Sequence, residues 1–202
     1  MSETIAIPEL ETTSLRLRPW MESDAPALHA AFGDAETMRF WDRRPMRDVT
    51  ETTALIRGSR SADPQYHAAY AITLRATGEP IGMINYHDRR PQNRRLAVGW
   101  ILTRARRRQG LMREAVPALL NYCFDQLDTH RIEARIEADN APSVALANWL
   151  GFQREGLMRD WMFVDGQPRS PHMHALLRPD WSVRRAQVSS TSSPYPVVSG
   201  AV

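Results

Sequence analysis

The stretch Val98-Gly99-Trp100-Ile101-Leu102-Thr103-Arg104-Ala105-Arg106-Arg107-Arg108-Gln109-Gly110-Leu111-Met112 falls into three pieces. Val98 to Leu102 completes an apolar run that begins at Leu96, the pattern of a central strand covered on both faces. Arg104 to Gln109 is a basic loop. Gly110 then opens a helix with a broad apolar stripe at Leu111, Ala115, Leu119, Tyr122 and Phe124 to Leu127. Pro117 lies inside that stripe and is expected to kink the helix or make its start irregular. A helix N-terminus presents unpaired N–H groups and the positive end of a dipole. Arginines beside it add charge and forked donors, and a glycine lets a ligand approach the backbone closely. Together these are the elements of a diphosphate cradle. No Gly-Lys-Ser/Thr follows, so this is not a Walker loop, and the glycine spacing is not that of a dinucleotide fingerprint. A solvated basic loop closed by one glycine is the plain alternative.

On the N-terminal side, Ser14 to Arg18 alternates Leu15 and Leu17 with arginines and ends at Pro19, as a strand does. A helix follows, with Ser23 or Asp24 as N-cap, Pro26 in its first turn, and Leu28, Ala31 and Phe32 on one face. Asp48 to Glu51 is an acid-capped capping box for a second helix through Ile56. Tyr70 to Leu74 and Ile81 to Tyr86 are expected to pair around the turn at Thr77 to Pro80. Arg89 to Arg95 reads as a polar loop.

Beyond the long helix, Ile132 to Ile136 is a strand. Asn140 caps a short helix with Pro142 in its first turn and Gly151 at its end. Gln153 to Val164 and Pro171 to Leu177 flank Asp165-Gly166, a hairpin turn signal. The order predicts one mixed α/β (α+β) domain, with a largely antiparallel sheet and helices on its faces, over residues 10–185. Residues 186–202, rich in Ser, Pro and Val and without a charged side chain, are expected to be a disordered tail.

The chain has 202 residues, enough to bury a real core, with 43% hydrophobic and 24% charged residues. No apolar run reaches the ~20 residues that span a bilayer. Met1 to Leu10 lacks the basic and apolar regions of a signal peptide. The lone Cys123 excludes a disulfide framework and a multi-cysteine zinc site, and no metal is expected. These features predict a soluble, cytoplasmic protein with no membrane partner. All 26 basic residues are arginine, which a GC-rich genome explains without a function. The net charge of +3 permits a nucleic-acid partner without demanding one.

The motifs, taken in order, resemble a family. Arg107-Arg108-Gln109-Gly110-Leu111-Met112 resembles the pyrophosphate loop of the GNAT acyl-CoA N-acetyltransferases, Q/R-x-x-G-x-G/A, with Met112 in place of the second small residue. Leu15-Arg16-Leu17-Arg18-Pro19-Trp20 resembles the opening strand of the branch that acetylates ribosomal-protein alanines, the RimJ/RimL-like proteins. Gly99-Trp100-Ile101-Leu102 is similar to that branch's Gly-Tyr-Trp-Leu, and Arg113-Glu114-Ala115 to its Thr-Glu-Ala. Asn140-Ala141-Pro142-Ser143, Leu150-Gly151-Phe152 and Glu155-Gly156 follow with the family's order and spacing. Each motif alone is weak, but the ordered set spans Leu15 to Leu177.

The resemblance implies acetyl-CoA as donor cosubstrate and a primary amine as acceptor, either a small molecule or a protein N-terminus. It implies central strands that splay apart. Backbone groups around Ile101, Leu102 and Thr103 would pair with the pantetheine arm. Arg107, Arg108, Gln109, Gly110, Leu111, Met112 and Arg113 would hold the diphosphate. Ser143 matches the serine that protonates the leaving thiolate, and Asn140 would hold the site by hydrogen bonds. A helix cap also accounts for Asn140, and a first-turn hydroxyl for Ser143. The carboxylate that often precedes Gly-Tyr-Trp-Leu is Ala97 here, and a glutamate of the last hairpin falls at Met162. Asp160, expected on the same side of that strand, and His87, which titrates near neutrality, are the candidate bases. His172 and His174 are weaker candidates, and a bound water could serve instead. Glu155 is expected to support the hairpin.

Trp20, Phe40 and Trp41 could line the acceptor pocket or simply pack. Cys123, Trp149 and Trp161 read as packing residues. Homodimers are common among related proteins. Two other readings compete: a catalytically silent acyl-CoA-binding regulator, and an arginine-rich nucleic-acid module. The aromatics do not interleave with the arginines as a stacking platform requires, which argues against nucleic acid.

Overall fold

A computed structural model describes residues 7–191, with side chains through 187. Among these residues an eight-stranded sheet runs in the order β1-β2-β3-β4-β5-β6-β10-β7, and β8-β9 form a separate ribbon. The strands are β1 (Leu10–Glu11), β2 (Leu15–Pro19), β3 (Ala68–Leu74), β4 (Pro80–Arg90), β5 (Arg95–Leu102), β6 (Arg131–Ile136), β7 (Gln153–Leu157), β8 (Met162–Val164), β9 (Gln167–Arg169) and β10 (His172–Leu177). The helices are α1 (Ala25–Phe32), α2 (Ala35–Met38), α3 (Val49–Arg60), α4 (Leu111–Asp125), α5 (Ala141–Leu150) and α6 (Arg178–Thr191). Every ladder is antiparallel except β5 with β6. This is the mixed, mostly antiparallel α/β sheet expected from the sequence.

Strand alternation separates two cores. Leu15, Leu17, Tyr70, Ile72, Ile84, Tyr86, Leu96 and Val98 pack on one face against α4, α5 and α6. Trp20, Ala69, Ala71, Met83 and Ile101 pack on the other against α1 and α3. The first turn of α4 is tied to the start of β2 through the Glu114 carboxylate. It accepts from the Ser14 N–H at 2.6 Å and hydroxyl at 2.7 Å, and from the Thr12 hydroxyl.

The differences from the sequence reading have identifiable causes. Segment 89–95 is not an open loop: β4 runs to Arg90, a 3₁₀ turn covers Pro91–Asn93, and β5 starts at Arg95. Two of its arginines are held by acceptors from distant parts of the chain. Arg89 donates to the carbonyls of Gln65 and Leu127, and Arg94 pairs with Asp128. The span 153–164 is two strands, broken where Asp160 takes a left-handed φ of 49°. The turn at Asp165 (φ 50°) and Gly166 (φ 73°) joins β8 to β9 rather than the long flanking strands.

The Asp48 cap forms, accepting from the Glu51 N–H at 3.0 Å, but the box does not close. The Glu51 carboxylate accepts instead from the Arg47 N–H and from the Arg44 and Arg47 guanidiniums. Asp24 precedes α1, yet its carboxylate takes both Arg18 donors and the Met21 N–H. The helix α4 is continuous through Pro117. The short elements β1 and α2 and the helix α6 have no counterpart in the sequence reading. Helix α6 continues into the segment read as a tail, and 192–202 lie outside the described residues. It docks through Trp181, 1% exposed and stacked on Phe124, and through Arg184, which donates twice to the Trp149 carbonyl.

Candidate active site

The sheet opens at its centre. β5 and β6 pair only at Arg95↔Arg131, Leu96↔Ile132 and Ala97↔Glu133. Beyond Ala97, β5 keeps its ladder with β4, and β6 keeps its ladder with β10. The remainder of β5 therefore has one edge without a strand partner. The Thr103 N–H donates to the Ile81 carbonyl at 2.9 Å. Backbone groups alternate along an antiparallel strand, so Gly99, Ile101 and Thr103 face β4, while Trp100 and Leu102 face the gap. Of the three residues expected to pair with a pantetheine arm, Leu102 directs its main-chain groups to the gap. Ile101 and Thr103 direct their main-chain groups to β4. Trp100, which the sequence reading left out of the set, also directs its main-chain groups to the gap.

The loop after β5 starts with a 3₁₀ turn over Arg104–Arg106, and α4 follows with Gly110 as its N-cap at φ 78°. Arg108 is also left-handed at φ 61°. Left-handed residues on either side of Gln109 make the turn that leads into the first N–H groups of α4. A Cβ on Gly110 would meet nothing within 4 Å, so the helix end is open to a ligand. Leu111 and Met112 begin the helix and pack partly into the core beneath it.

The arginines are not equivalent. Arg104 pairs with Glu36 at 2.8 Å and Arg106 with Glu79 at 2.6 Å. Arg107 donates to the Thr37 hydroxyl and lies 3.7 Å from Glu36. Arg108 is exposed and forms no ion pair among the described residues. Arg113 lies 5.2 Å over the Trp149 ring, and Gln109 donates to the Ala105 carbonyl. Trp149 is therefore half-buried under a cation.

The start of α5 borders the gap. The Asn140 side chain accepts from the Ser143 N–H at 3.3 Å, the cap that its residue type alone explains. The Ser143 hydroxyl accepts from the Trp100 indole N–H at 3.3 Å, which joins α5 to β5.

On the opposite face of β5 lies a cavity of 270 Å³ walled by Trp20, Trp41, Leu55 and Met83. Its polar lining is Asn85, His87, and His67 held by Ser59 at 2.7 Å. Gly99 brings the cavity up to the β5 backbone, because a Cβ there would stand 2.9 Å from the Asn85 Oδ1. Asn85 Oδ1 and His87 Nδ1 have no hydrogen-bond partner among the described residues. Burial pushes the His87 imidazole down to about 4, against the opposing pull of Asp88. Burial lowers His67 as well. Asn85 and His67 were not singled out from the sequence, although Asn85 shares the face of His87 at a spacing of two.

The other candidates lie elsewhere. Asp160 precedes β8 instead of sitting in the strand. It is exposed, and its N–H donates to Ser170 at 2.9 Å. It lines neither this cavity nor the groove along α4. His174 is 2% exposed within the sheet, and its burial lowers its pKa. Trp161 is 50% exposed over Arg135 rather than packed, so its expected core role is corrected. Phe40 lies under Arg39, away from the cavity lining, whereas Trp20 and Trp41 are part of it. Glu155 pairs with Arg131 of β6 across β10, and Cys123 is fully buried. Among the described residues no cluster could hold a metal ion, and no helix is long and apolar enough to cross a membrane.

The model of the acetyltransferase (GNAT) domain matches residues 14–153. An uncharacterized N-acetyltransferase of Bacillus licheniformis is 32% identical over 174 residues, 86% of this chain and 98% of that protein. The ribosomal protein uS5 alanine N-acetyltransferase of Escherichia coli is 39% identical over 77 residues, 38% of this chain and 40% of that enzyme. Among solved structures, a GCN5-related N-acetyltransferase from Brucella melitensis aligns at a TM-score of 0.84 and 22% identity, covering 95% of this chain and 88% of the other. Mycobacterium smegmatis RimJ in complex with CoA-disulfide aligns at 0.77 and 23%, covering 90% and 93%. These two structural likenesses show the fold.

Proposed function

Because the chain belongs to the GNAT acetyltransferase family, we propose that it moves the acetyl group of acetyl-CoA to a primary amine by direct attack on the thioester. The observation that carries this reading is the gap between β5 and β6, with the open N-terminus of α4 beside one end and Ser143 at its border. An extended donor arm would add to β5 as a strand does, pairing with the free groups of Trp100 and Leu102. The free N–H groups at the start of α4 and its dipole suit a diphosphate. Arg108 adds unpaired charge, and Arg107 can follow by exchanging its Thr37 contact.

Chemistry here needs few side chains. The amine nitrogen forms a bond to the carbonyl carbon, the C–S bond breaks, and the sulfur leaves as thiolate. A main-chain N–H on the free edge of β5 is placed to stabilise the oxyanion. The Ser143 hydroxyl accepts from Trp100, so its own proton is available to the sulfur. Once the amine nitrogen has attacked and carries positive charge, its proton can pass to water or to His87, which burial leaves a weak base. Asp160 would need the β7–β8 connection to move before it could take part. A second copy as partner, by analogy with related proteins, is tested by the mass of the protein in solution.

Calorimetry with acetyl-CoA tests the reading. Wild-type protein is expected to bind at micromolar concentration. Gly110→Glu, which places bulk and negative charge at the helix end, is expected to abolish binding. A folded wild type that does not bind would overturn the proposal and favour a salt-dependent nucleic-acid partner, read by titration with RNA. Binding without turnover of any amine would favour an acyl-CoA-binding regulator.

A further inference from the structure

The cavity on the far side of β5 has a chemical character that selects among amines. Trp20, Trp41, Leu55 and Met83 form its walls. Among the residues that line it the one carboxylate is Asp42, and that carboxylate is paired with its neighbour Arg43 at 2.9 Å. Both partners stand at an exposed position. The histidines that line it, His67 and His87, are both lowered by burial, which favours the uncharged ring. The polar atoms that remain are neutral hydrogen-bonding groups: the Asn85 amide, the His87 ring, and the Ser59–His67 pair. A second ammonium entering this space would give up part of its hydration against apolar walls and meet no unpaired carboxylate, a cost that the lining does not offset. An apolar or aromatic body would instead find aromatic and aliphatic walls.

We infer that the acceptor is a primary amine on a compact, uncharged, apolar or aromatic skeleton, and that polyamines and other dications are poor acceptors. The inference rests on the acetyl-transfer reading above. Such an amine has two sources: a free small molecule, or the N-terminal residue of a polypeptide with an apolar first side chain. Both present one reacting nitrogen and an uncharged body. The volume of 270 Å³ suits one such group and not a folded loop.

The test first establishes acetyl-CoA binding by calorimetry. It then measures acetyl transfer to n-butylamine, 1,4-diaminobutane, 2-phenylethylamine, and tripeptide amides that begin with Ala, Phe, Asp or Arg. The expected result is kcat/KM at least about tenfold higher for n-butylamine than for 1,4-diaminobutane. 2-Phenylethylamine or the Phe peptide is expected to be better still. Free amines turned over in preference to peptides identify a small-molecule acceptor, and the reverse identifies a polypeptide N-terminus. Leu55→Asp places a carboxylate in the apolar wall from the half-buried side of α3. It is expected to bring the ratio to unity or below, with the Kd for acetyl-CoA unchanged. Trp41→Glu makes the same change on another wall, should the first variant fold poorly.

Equal or better use of the diamine, or a preference for peptides with a charged first residue, overturns the inference while leaving acetyl transfer intact. Acetyl-CoA binding with no amine accepted overturns it too. Absence of acetyl-CoA binding removes the parent reading itself.

Discussion

The indole N–H of Trp100 donates to the hydroxyl oxygen of Ser143 at 3.3 Å, across the opening between β5 and α5. Trp100 belongs to the strand whose edge is unpaired, and Ser143 lies in the first turn of the helix that follows β6. The bond therefore links the two sides of the gap at the point where the strands have separated. A hydroxyl has one donor and two acceptor sites. With Trp100 on an acceptor site, the proton is free to point elsewhere.

Ser143→Ala removes that proton and leaves the cap residue Asn140 in place. The expected effect is a fall in kcat of on the order of 10²-fold, the usual scale for loss of a positioned acid. KM for acetyl-CoA should change little. Trp100→Phe keeps the ring and loses the donor. It should give a smaller loss, because the hydroxyl remains but its rotamer is freer. Steady-state kinetics on both variants decide the matter: an unchanged kcat in Ser143→Ala would remove serine from the mechanism.

Gly99 is the place where the cavity meets the β5 backbone. A Cβ there would stand 2.9 Å from Asn85 Oδ1 and 3.9 Å from His87 Cε1. Gly99→Val adds a branched side chain on that face. The prediction is a rise of at least about tenfold in KM for the amine, with the calorimetric Kd for acetyl-CoA within about twofold of wild type. A parallel loss of donor binding would show that the two sites are not separated by the strand.

His87 sets an acid limit. Its folded pKa is about 4, below the unfolded value, because burial disfavours the imidazolium. Between the two values the unfolded chain binds the proton more readily, so stability falls as pH drops from about 6.5 to about 4. Above that window the residue contributes no pH dependence. His87→Gln should flatten the acid side of a denaturation-midpoint profile over that window. The same pKa means that kcat/KM has no inflection from His87 at neutral pH and rises with the fraction of free amine. A bell centred on pH 6 to 7 would show that the histidine gains a charged partner once substrate is bound.

The fold was legible where local rules act alone. Alternation at Leu15 and Leu17, the apolar run at Leu96 to Leu102, and the caps at Asp48, Asn140 and Gly151 all form as expected. The splay was implied by the family resemblance, and the register shows it. What escaped depends on distant partners. Arg89 and Arg94 extend the sheet because carbonyls of Gln65, Leu127 and Asp128 meet them, which no local pattern encodes. Helix α6 is held by Trp181 and Arg184 against α4 and α5, and its own sequence is mostly polar. Likewise, which of Ile101, Leu102 and Thr103 faces the gap is fixed by the pairing of Thr103 with Ile81, not by residue type.

Glu36 provides a last test, because it holds Arg107, which is assigned to the donor, and Arg104 in the same loop. Its carboxylate is 2.8 Å from Arg104 and 3.7 Å from Arg107, while the adjacent Thr37 accepts from Arg107. These side chains are largely exposed, so each pair is worth about 0.2–1 kcal/mol. If a diphosphate takes the arginines, it must displace that carboxylate. Glu36→Gln keeps the shape and removes the competing charge. It should tighten acetyl-CoA binding by about twofold to fivefold at low salt, the range that such a pair energy allows. The gain should shrink as ionic strength rises, since exposed charges are screened over about 8 Å at physiological salt. Arg107→Gln should weaken binding in both backgrounds. Weaker binding in Glu36→Gln would give the carboxylate the opposite role, that of holding the arginines ready for the phosphates.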